Sequence, residues 1–361
     1  AEPKLVATEI TTIKEWGKSV DWHHPTNQIA TAVPMVASDG YYDVVVFSMD
    51  DPDDYTILTH QVAGAPQRHN GNPAWHPSGD YIVFTAENED VPVDEWYDFN
   101  AKPGRGVNCN IWLARADGTG FWQLTFNPTG RDAGAMAIIH PQISPDGSRL
   151  LWAEKSHWED GTYWGQWRLK MATLVIDDEP ELQDVQTYDP AEQPAFYETH
   201  AFSHDNQRIM FTGNLLDGQH ETGMDIHALD LETQALTILT SSFSDWDEHA
   251  HWSPNGQLIS WMSSTELSIE WPEDMGYYDW IDYLATELWL MNADGSGKRR
   301  LTFFNEPEHP HNRARRTAVS DSAWGPDSNS LLVLLAHYEG TGPGSKETAT
   351  SQLVLVTLGQ E

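Results

Sequence analysis

Cysteine is almost missing from this chain. Cys109 stands alone among 361 residues, so no internal disulfide can form and cysteine usage leaves the redox compartment open. Basic residues are scarce too: 20 Lys and Arg against 55 Asp and Glu give a net charge of −35. A surface of that sign repels the phosphates of nucleic acid, which is therefore not an expected partner. Its general effect is solubility. No apolar run approaches the roughly 18 residues of a membrane span, so membrane insertion is not expected. Phosphate loops, dinucleotide fingerprints and the Gly-x-Ser-x-Gly elbow are absent. The chain opens at Ala1 without a methionine or a charged-then-apolar leader, as a mature product does after signal cleavage. A periplasmic or secreted location is expected on that ground.

What is present is repetition. Five segments share a short strand, a turn built on Pro, Asp, Asn or Gly, and a second apolar strand, beginning at Pro73, His140, Thr199, His249 and Ser322; a weaker sixth begins at His23. Each is followed by a hairpin ending near Leu-Thr, as in Asn110–Thr125 and Glu287–Thr302, both turning on Ala-Asp-Gly. Asp-Gly between alternating apolar strands is the strongest short-range hairpin signal. Four antiparallel strands repeated six times predict one all-β domain, a six-bladed β-propeller. The blades fall near 17–62, 70–127, 138–190, 197–241, 248–303 and 319–358. The last copy supplies only three strands, and the strand at 4–13 is expected to complete it and remove an open edge. The acidic run Met49–Asp54 is expected at a solvated hairpin turn.

The Ser-Pro-Asp-Gly turn at 144–147 and the Ala-Asp-Gly hairpins ending in Leu-Thr resemble the propeller repeats of the TolB family, over essentially the whole chain. Such propellers serve as scaffolds, binding modules and enzymes, so the resemblance implies a fold more than a function.

In a four-stranded meander, the start of each inner strand, the loop between strands two and three, and the crossing between blades share one rim. The long insertions 87–108, 155–166 and 263–286 all fall there, which is how a ligand site on a rigid scaffold is built. Several of the 17 Trp, Trp280 among them, lie in these loops, where an indole either stacks on a sugar or packs the loop down. Aligning the repeats on their turns puts Asn72, His140, Thr199, His249 and Asp321 at one position beside the central channel. His251, two residues after His249, is expected on the same face of its strand, and His200 adjoins the ring. His140, His249, His251 and Asp321 are the candidate ligands of a divalent metal (Mn, Zn, Cu or Ca); structural hydrogen bonding is the competing role.

Of the few cations, Arg68, Arg131, Arg313, Arg315 and Arg316 lie in between-blade loops, with His309 and His311 nearby. Guanidinium matches carboxylate bidentately, which points to an anionic ligand, unless these arginines pair internally. His140 and His249 also resemble the ligand histidines of the metal-dependent oligogalacturonate lyases, which stand at the tops of inner strands. That resemblance implies a uronide lyase: metal or Arg neutralises the carboxylate, His200, His251 or Arg131 removes the neighbouring proton, and Tyr197 protonates the leaving oxygen. Two readings stand. One is a monomeric extracytoplasmic propeller that binds, or binds and cleaves by elimination, an anionic saccharide at a His/Arg/Trp rim that includes Trp280. The other is a non-catalytic module capturing a protein or peptide across that rim.

Overall fold

A computed structural model describes residues 5–34, 40–91, 95–129, 136–157, 162–273, 279–342 and 349–360. Its strands form six four-stranded antiparallel sheets. From the channel outward, the blades are Val20–His23, Gln28–Pro34, Tyr42–Ser48, Asp51–Ile57; Asn70–Trp75, Tyr81–Glu87, Cys109–Arg115, Phe121–Gln123; Ala137–Ile143, Arg149–His157, Gln166–Val175, Glu181–Tyr188; Tyr197–Phe202, Arg208–Gly213, Asp225–Asp230, Leu236–Ile238; Asp247–Trp252, Leu258–Ser263, Glu287–Asn292, Arg299–Arg300; and Arg316–Trp324, Ser330–Tyr338, Thr350–Gln360, Leu5–Lys14. The N-terminal strand is the outer strand of the sixth blade, paired from Leu5 opposite Gln360 to Lys14 opposite Leu353. The expected closure is thus observed, and it covers the long edge that Thr350–Gln360 would otherwise present.

The repeated residues have identifiable work. In five blades the turn after the inner strand is closed identically, by the amides of Gly79, Gly147, Asn206, Gly256 and Ser328 donating three residues back. All five take left-handed φ, from 58° to 78°, where Gly and Asn cost least. The Leu-Thr endings are latches. Thr59, Thr125, Thr240 and Thr302 each accept a hydrogen bond from an amide near the start of the third strand (Val44, Ile111, Ile226 and Leu288) and donate to the side chain of the residue before it: Asp43, Asn110, Asp225 and Glu287. That satisfies a buried polar pair at the point where outer and third strands part.

Second strands are sandwiched between neighbouring blades and so are apolar on both faces; Ile29, Ile82, Val83, Leu150, Leu151, Ile209, Met210, Ile259, Leu331 and Leu332 are fully buried. Outer strands are less buried, and Asp51–Ile57 and Glu181–Tyr188 are mostly polar and exposed. Asp51–Ile57 is one of them, so most of the acidic run expected at a turn is strand instead, with Asp53 held 3.0 Å from the Lys14 ammonium of the closing strand. Charge along an outer edge opposes edge-to-edge pairing.

Five inner strands contain a one-residue bulge at the channel. The register slips between Gly71 and Ala74, Ile139 and Gln142, Thr199 and Ala201, Glu248 and His251, and Val319 and Asp321. Three of the bulge residues, Asn72 (φ 48°), His140 (49°) and His249 (51°), adopt left-handed backbone. For a residue with a Cβ this costs on the order of 1 kcal/mol or more, and such strain gathers where a side chain must be aimed.

Candidate metal centre in the channel

The bulges aim His140 and His249 at Glu198, which comes from the blade between them. His140 Nε2 lies 3.2 Å from Glu198 Oε1, and His249 Nε2 lies 3.3 Å from the same oxygen. All three donor atoms fall within 4.8 Å of one another, and among the described residues this is the sole cluster of metal-ligating side chains that close. All three residues are buried or nearly so, and Glu198 Oε1 has no hydrogen-bond partner. A buried carboxylate oxygen left without a donor beside two imidazole nitrogens calls for a cation or a proton. For an ion with bonds of about 2.0–2.1 Å to N and O, neighbouring tetrahedral ligands stand about 3.3–3.4 Å apart, the spacing the two N···O pairs already have.

The surroundings fix tautomer and charge. Asp321 Oδ1 lies 3.4 Å from His249 Nδ1 and 3.5 Å from His251 Nε2, while its carboxylate accepts the amides of Val20 (3.0 Å) and Ser322 (2.8 Å). Burial alone would raise the Asp321 carboxyl; the charge of His249 and hydrogen bonds from His249 and His251 outweigh it and hold it well below the usual range. When His249 is neutral, an ionised Asp321 favours its single proton on Nδ1 and leaves the lone pair on Nε2, facing Glu198, which is the carboxylate–histidine arrangement that orients metal ligands. Burial opposes charge on His249, yet Asp321 and Glu248 together raise its proton affinity. Burial, reinforced by His249, pushes His140 down to about 3, so it is neutral, the form in which an imidazole can serve as a ligand. Burial and the adjacent Glu248 push Glu198 well up, and burial raises Glu248 as well. Trp246 Nε1 donates to Glu248 Oε2 at 2.8 Å and pins the second carboxyl.

Two cavities meet at this cluster, with Asn72, His140 and His249 in the wall they share. The loop-side cavity, about 140 Å³, is walled by Trp164, Trp167, Phe196, Trp246 and Trp280, with Lys18 and Arg105 beside Glu198 and Glu248. Trp246 and Trp280 stack at 4.9 Å, and Trp164 stands edge-on to both. Arg105, Trp164 and Trp280 come from the long insertions, which do converge on this rim. Burial, assisted by the charge of Arg105, brings the Lys18 ammonium down to about 8. The turn-side cavity, about 350 Å³, reaches the turns after the inner strands, with His204 and Pro254 in its lining.

The candidate residues separate accordingly. His140 and His249 converge with Glu198, and Asp321 stands behind His249. His251 lines only the turn-side cavity: the bulge at residues 249–250 interrupts the alternation that would put it on the face of His249. His200 is buried, its Nε2 2.7 Å from Thr212 Oγ1, and burial with the neighbouring His249 pushes it well below the usual histidine range. Tyr197 faces the core instead, its hydroxyl donating to Asp189 and accepting from the Ala191 amide. Burial raises its phenol. Neither His200 nor Tyr197 lines the loop-side cavity, whereas Trp280 does.

The arginine group does not gather there. Arg68 is tied to Glu87, to the Asn88 carbonyl and to the Val91 carbonyl. Arg313 sits over Phe304, Arg315 reaches Thr350, and Arg316 sits over Tyr338 and bonds the Gly340 and Leu284 carbonyls. His309 and His311 pack against Phe303 and each other. Arg131 lies outside the described residues. The cations that line the cavity, Lys18 and Arg105, were missed, as were Glu198 and Glu248. The glutamates did leave a signal: aligned on Ser203 and Ser253, they occupy the same position of adjacent repeats.

No protein-family model matches the sequence, and no curated protein matches it. Among solved structures, the chain is similar to a TolB protein from Agrobacterium tumefaciens, at 14% identity over 85% of this chain and 86% of that one, with a TM-score of 0.49. It is similar to an oligogalacturonate lyase in complex with manganese, at 11% identity over 99% and 98%, with a TM-score of 0.49. It is also similar to prolyl oligopeptidase B from Galerina marginata, at 11% identity over 94% of this chain but 42% of that one, with a TM-score of 0.49. At these identities the likeness is one of fold, not of side chains.

Proposed function

We propose that this propeller holds one divalent transition metal through His140, Glu198 and His249 and uses it to bind, and cleave by elimination, an anionic saccharide in the loop-side cavity. The carrying observation is the convergence of three donor atoms at ligand spacing around an unpartnered buried carboxylate oxygen. Two imidazoles and one carboxylate suit Zn, Mn or Cu, whereas calcium prefers all-oxygen sites, so calcium drops from the expected set. Bound there, such an ion supplies Lewis-acid stabilisation of a uronate carboxylate and so acidifies the adjacent C–H. Indole faces suit the apolar side of a sugar ring, and Arg105 suits its carboxylate. Lys18, brought to about 8, takes the role of proton acceptor in place of His200, His251 or Arg131. As the C–H proton passes to Lys18, the ring C=C bond forms and the C–O bond to the next sugar breaks. The Glu248 carboxyl, with its raised proton affinity, protonates the departing oxygen in place of Tyr197.

Metal analysis of protein purified without a His tag tests the reading. One transition ion per chain is expected, lost in His249→Ala with the fold retained. Uronic-acid oligosaccharides of pectic, alginate and ulvan types are then screened for a new unsaturated product, abolished in Lys18→Met. Metal-free wild-type protein overturns the metal reading and leaves capture of a protein or peptide across the rim; metal without any unsaturated product overturns elimination alone. A periplasmic or secreted setting suits a polymeric saccharide and is checked by cell fractionation. No helix among the described residues is long and apolar enough to cross a membrane.

A further inference from the structure

The turn-side cavity plays no part in saccharide binding as proposed, yet it is the larger of the two and its lining is of a different kind. We infer that it is the loading route by which the transition ion reaches His140, Glu198 and His249, so that metal and saccharide approach from opposite faces of the propeller; this rests on the metal reading above. Besides His140 and His249, the cavity is lined by His24, His200, His204 and His251, with Asp21 and Asp321 among them. One of these imidazoles carries a buried nitrogen without a hydrogen-bond partner, His200 Nδ1. Imidazole is the general ligand for such ions, and spaced single ligands bind weakly enough to pass an ion on.

The alternative route is electrostatically worse. Lys18 and Arg105 line the loop-side cavity, so a dication entering there meets both cations between indole walls, where charges are screened less than in open water. On the turn side, His204 is exposed at the mouth, and Asp80, Asp146, Asp205 and Asp327 are exposed on the surrounding turns. An acidic rim raises the local concentration of cations and speeds their capture by roughly 10-fold or more at low salt.

Zinc uptake by the metal-free full-length chain, followed by stopped-flow competition with a chromogenic zinc chelator, tests the route. His204→Trp narrows the mouth at an exposed position. It is expected to slow uptake by about 10-fold while final stoichiometry and affinity stay unchanged, and wild-type uptake is expected to slow with added salt. Leu284→Ala enlarges the loop-side cavity and is expected to leave the rate unchanged. Unaltered uptake in His204→Trp, or accelerated uptake in Leu284→Ala, overturns the route while leaving the metal site intact. Wild-type protein that takes up no zinc overturns the site and the route together. Should His204→Trp fail to fold, the Leu284→Ala rate and the salt dependence still decide.

Discussion

Asp321→Asn is the sharpest probe of the channel, because it removes one charge and nearly no volume. In the native protein one carboxylate accepts from four sides: His249 Nδ1 at 3.4 Å, His251 Nε2 at 3.5 Å, and the amides of Val20 at 3.0 Å and Ser322 at 2.8 Å. An amide cannot serve all four. With its oxygen toward His249, its NH2 group opposes the Val20 amide, donor against donor. Flipped, it presents the NH2 group to His249 Nδ1 and draws the imidazole proton onto Nε2, the atom that faces Glu198 and would face the proposed metal. Either arrangement costs affinity, and loss of an outer carboxylate on a ligating histidine weakens metal binding by about 10–100-fold, or about 1.4–2.7 kcal/mol. Zinc titration by calorimetry, with a competing chelator to reach tight constants, measures it directly. His249→Ala should lose the site altogether, whereas Asp321→Asn should retain stoichiometric but weaker binding. An Asp321→Asn affinity within two-fold of wild type would refute the assignment of His249 Nε2 as the ligand atom.

Two further predictions concern the scaffold. His227 is fully buried, stacked 5.4 Å from Phe211 with Nε2 3.3 Å from the Gly213 carbonyl, and burial pushes its pKa down to about 4. The folded value lies below the unfolded one of about 6.5, so the unfolded chain takes the proton first: the contribution is intact above pH about 6.5 and is lost as pH falls toward 4, up to on the order of 3 kcal/mol. His227→Phe should flatten the fall of the urea midpoint across that window, and an unchanged profile sinks the argument. Thr302→Val removes the latch that accepts from Leu288 at 2.9 Å and donates to the buried Glu287 at 2.6 Å. A cost of about 2–3 kcal/mol in urea denaturation is expected, with Thr302→Ser recovering most of it; a loss under 0.5 kcal/mol means Arg300 and the Phe304 amide already satisfy Glu287.

The propeller was legible because its signals are local and repeated. Ser-Pro-Asp-Gly at 144–147 and Leu-Thr at 301–302 each specify a turn or a latch within one blade, and six imperfect copies reinforce one another. The three-strand remainder after Ala318 likewise pointed to the strand at the other terminus. The cations were not legible in the same way. Arg313, Arg315 and Arg316 cluster in sequence, but each is taken up elsewhere: Arg313 by the Phe304 ring, Arg315 by the Thr350 hydroxyl, and Arg316 by the Tyr338 ring and the Gly340 and Leu284 carbonyls. Lys18 and Arg105 stand 87 positions apart in the chain and reach one cavity only because the insertion after Glu87 folds back over the channel. Proximity of like charges along a chain says little about where a guanidinium ends, since exposed pairs form wherever partners are near.

The centre itself was half visible, and the missing half has a definite physical cause. Period-two alternation places His249 and His251 on one face, and that inference holds in any regular strand. Here one extra residue sits in the strand, and a one-residue slip exchanges the faces of everything beyond it. His249 is thereby turned toward Glu198 of the preceding blade, while His251 is left on the turn side of the same channel. The repeat did contain a clue, because the equivalent positions Asn72 and His140 share the left-handed backbone of His249, and Asn and His are among the side chains that tolerate it best. A repeat position that alternates between Asn and His just before a tight turn is thus better read as a bulge than as a strand residue. On that reading the residue one step earlier, Glu198 or Glu248, gains the channel-facing role that alternation would have denied it.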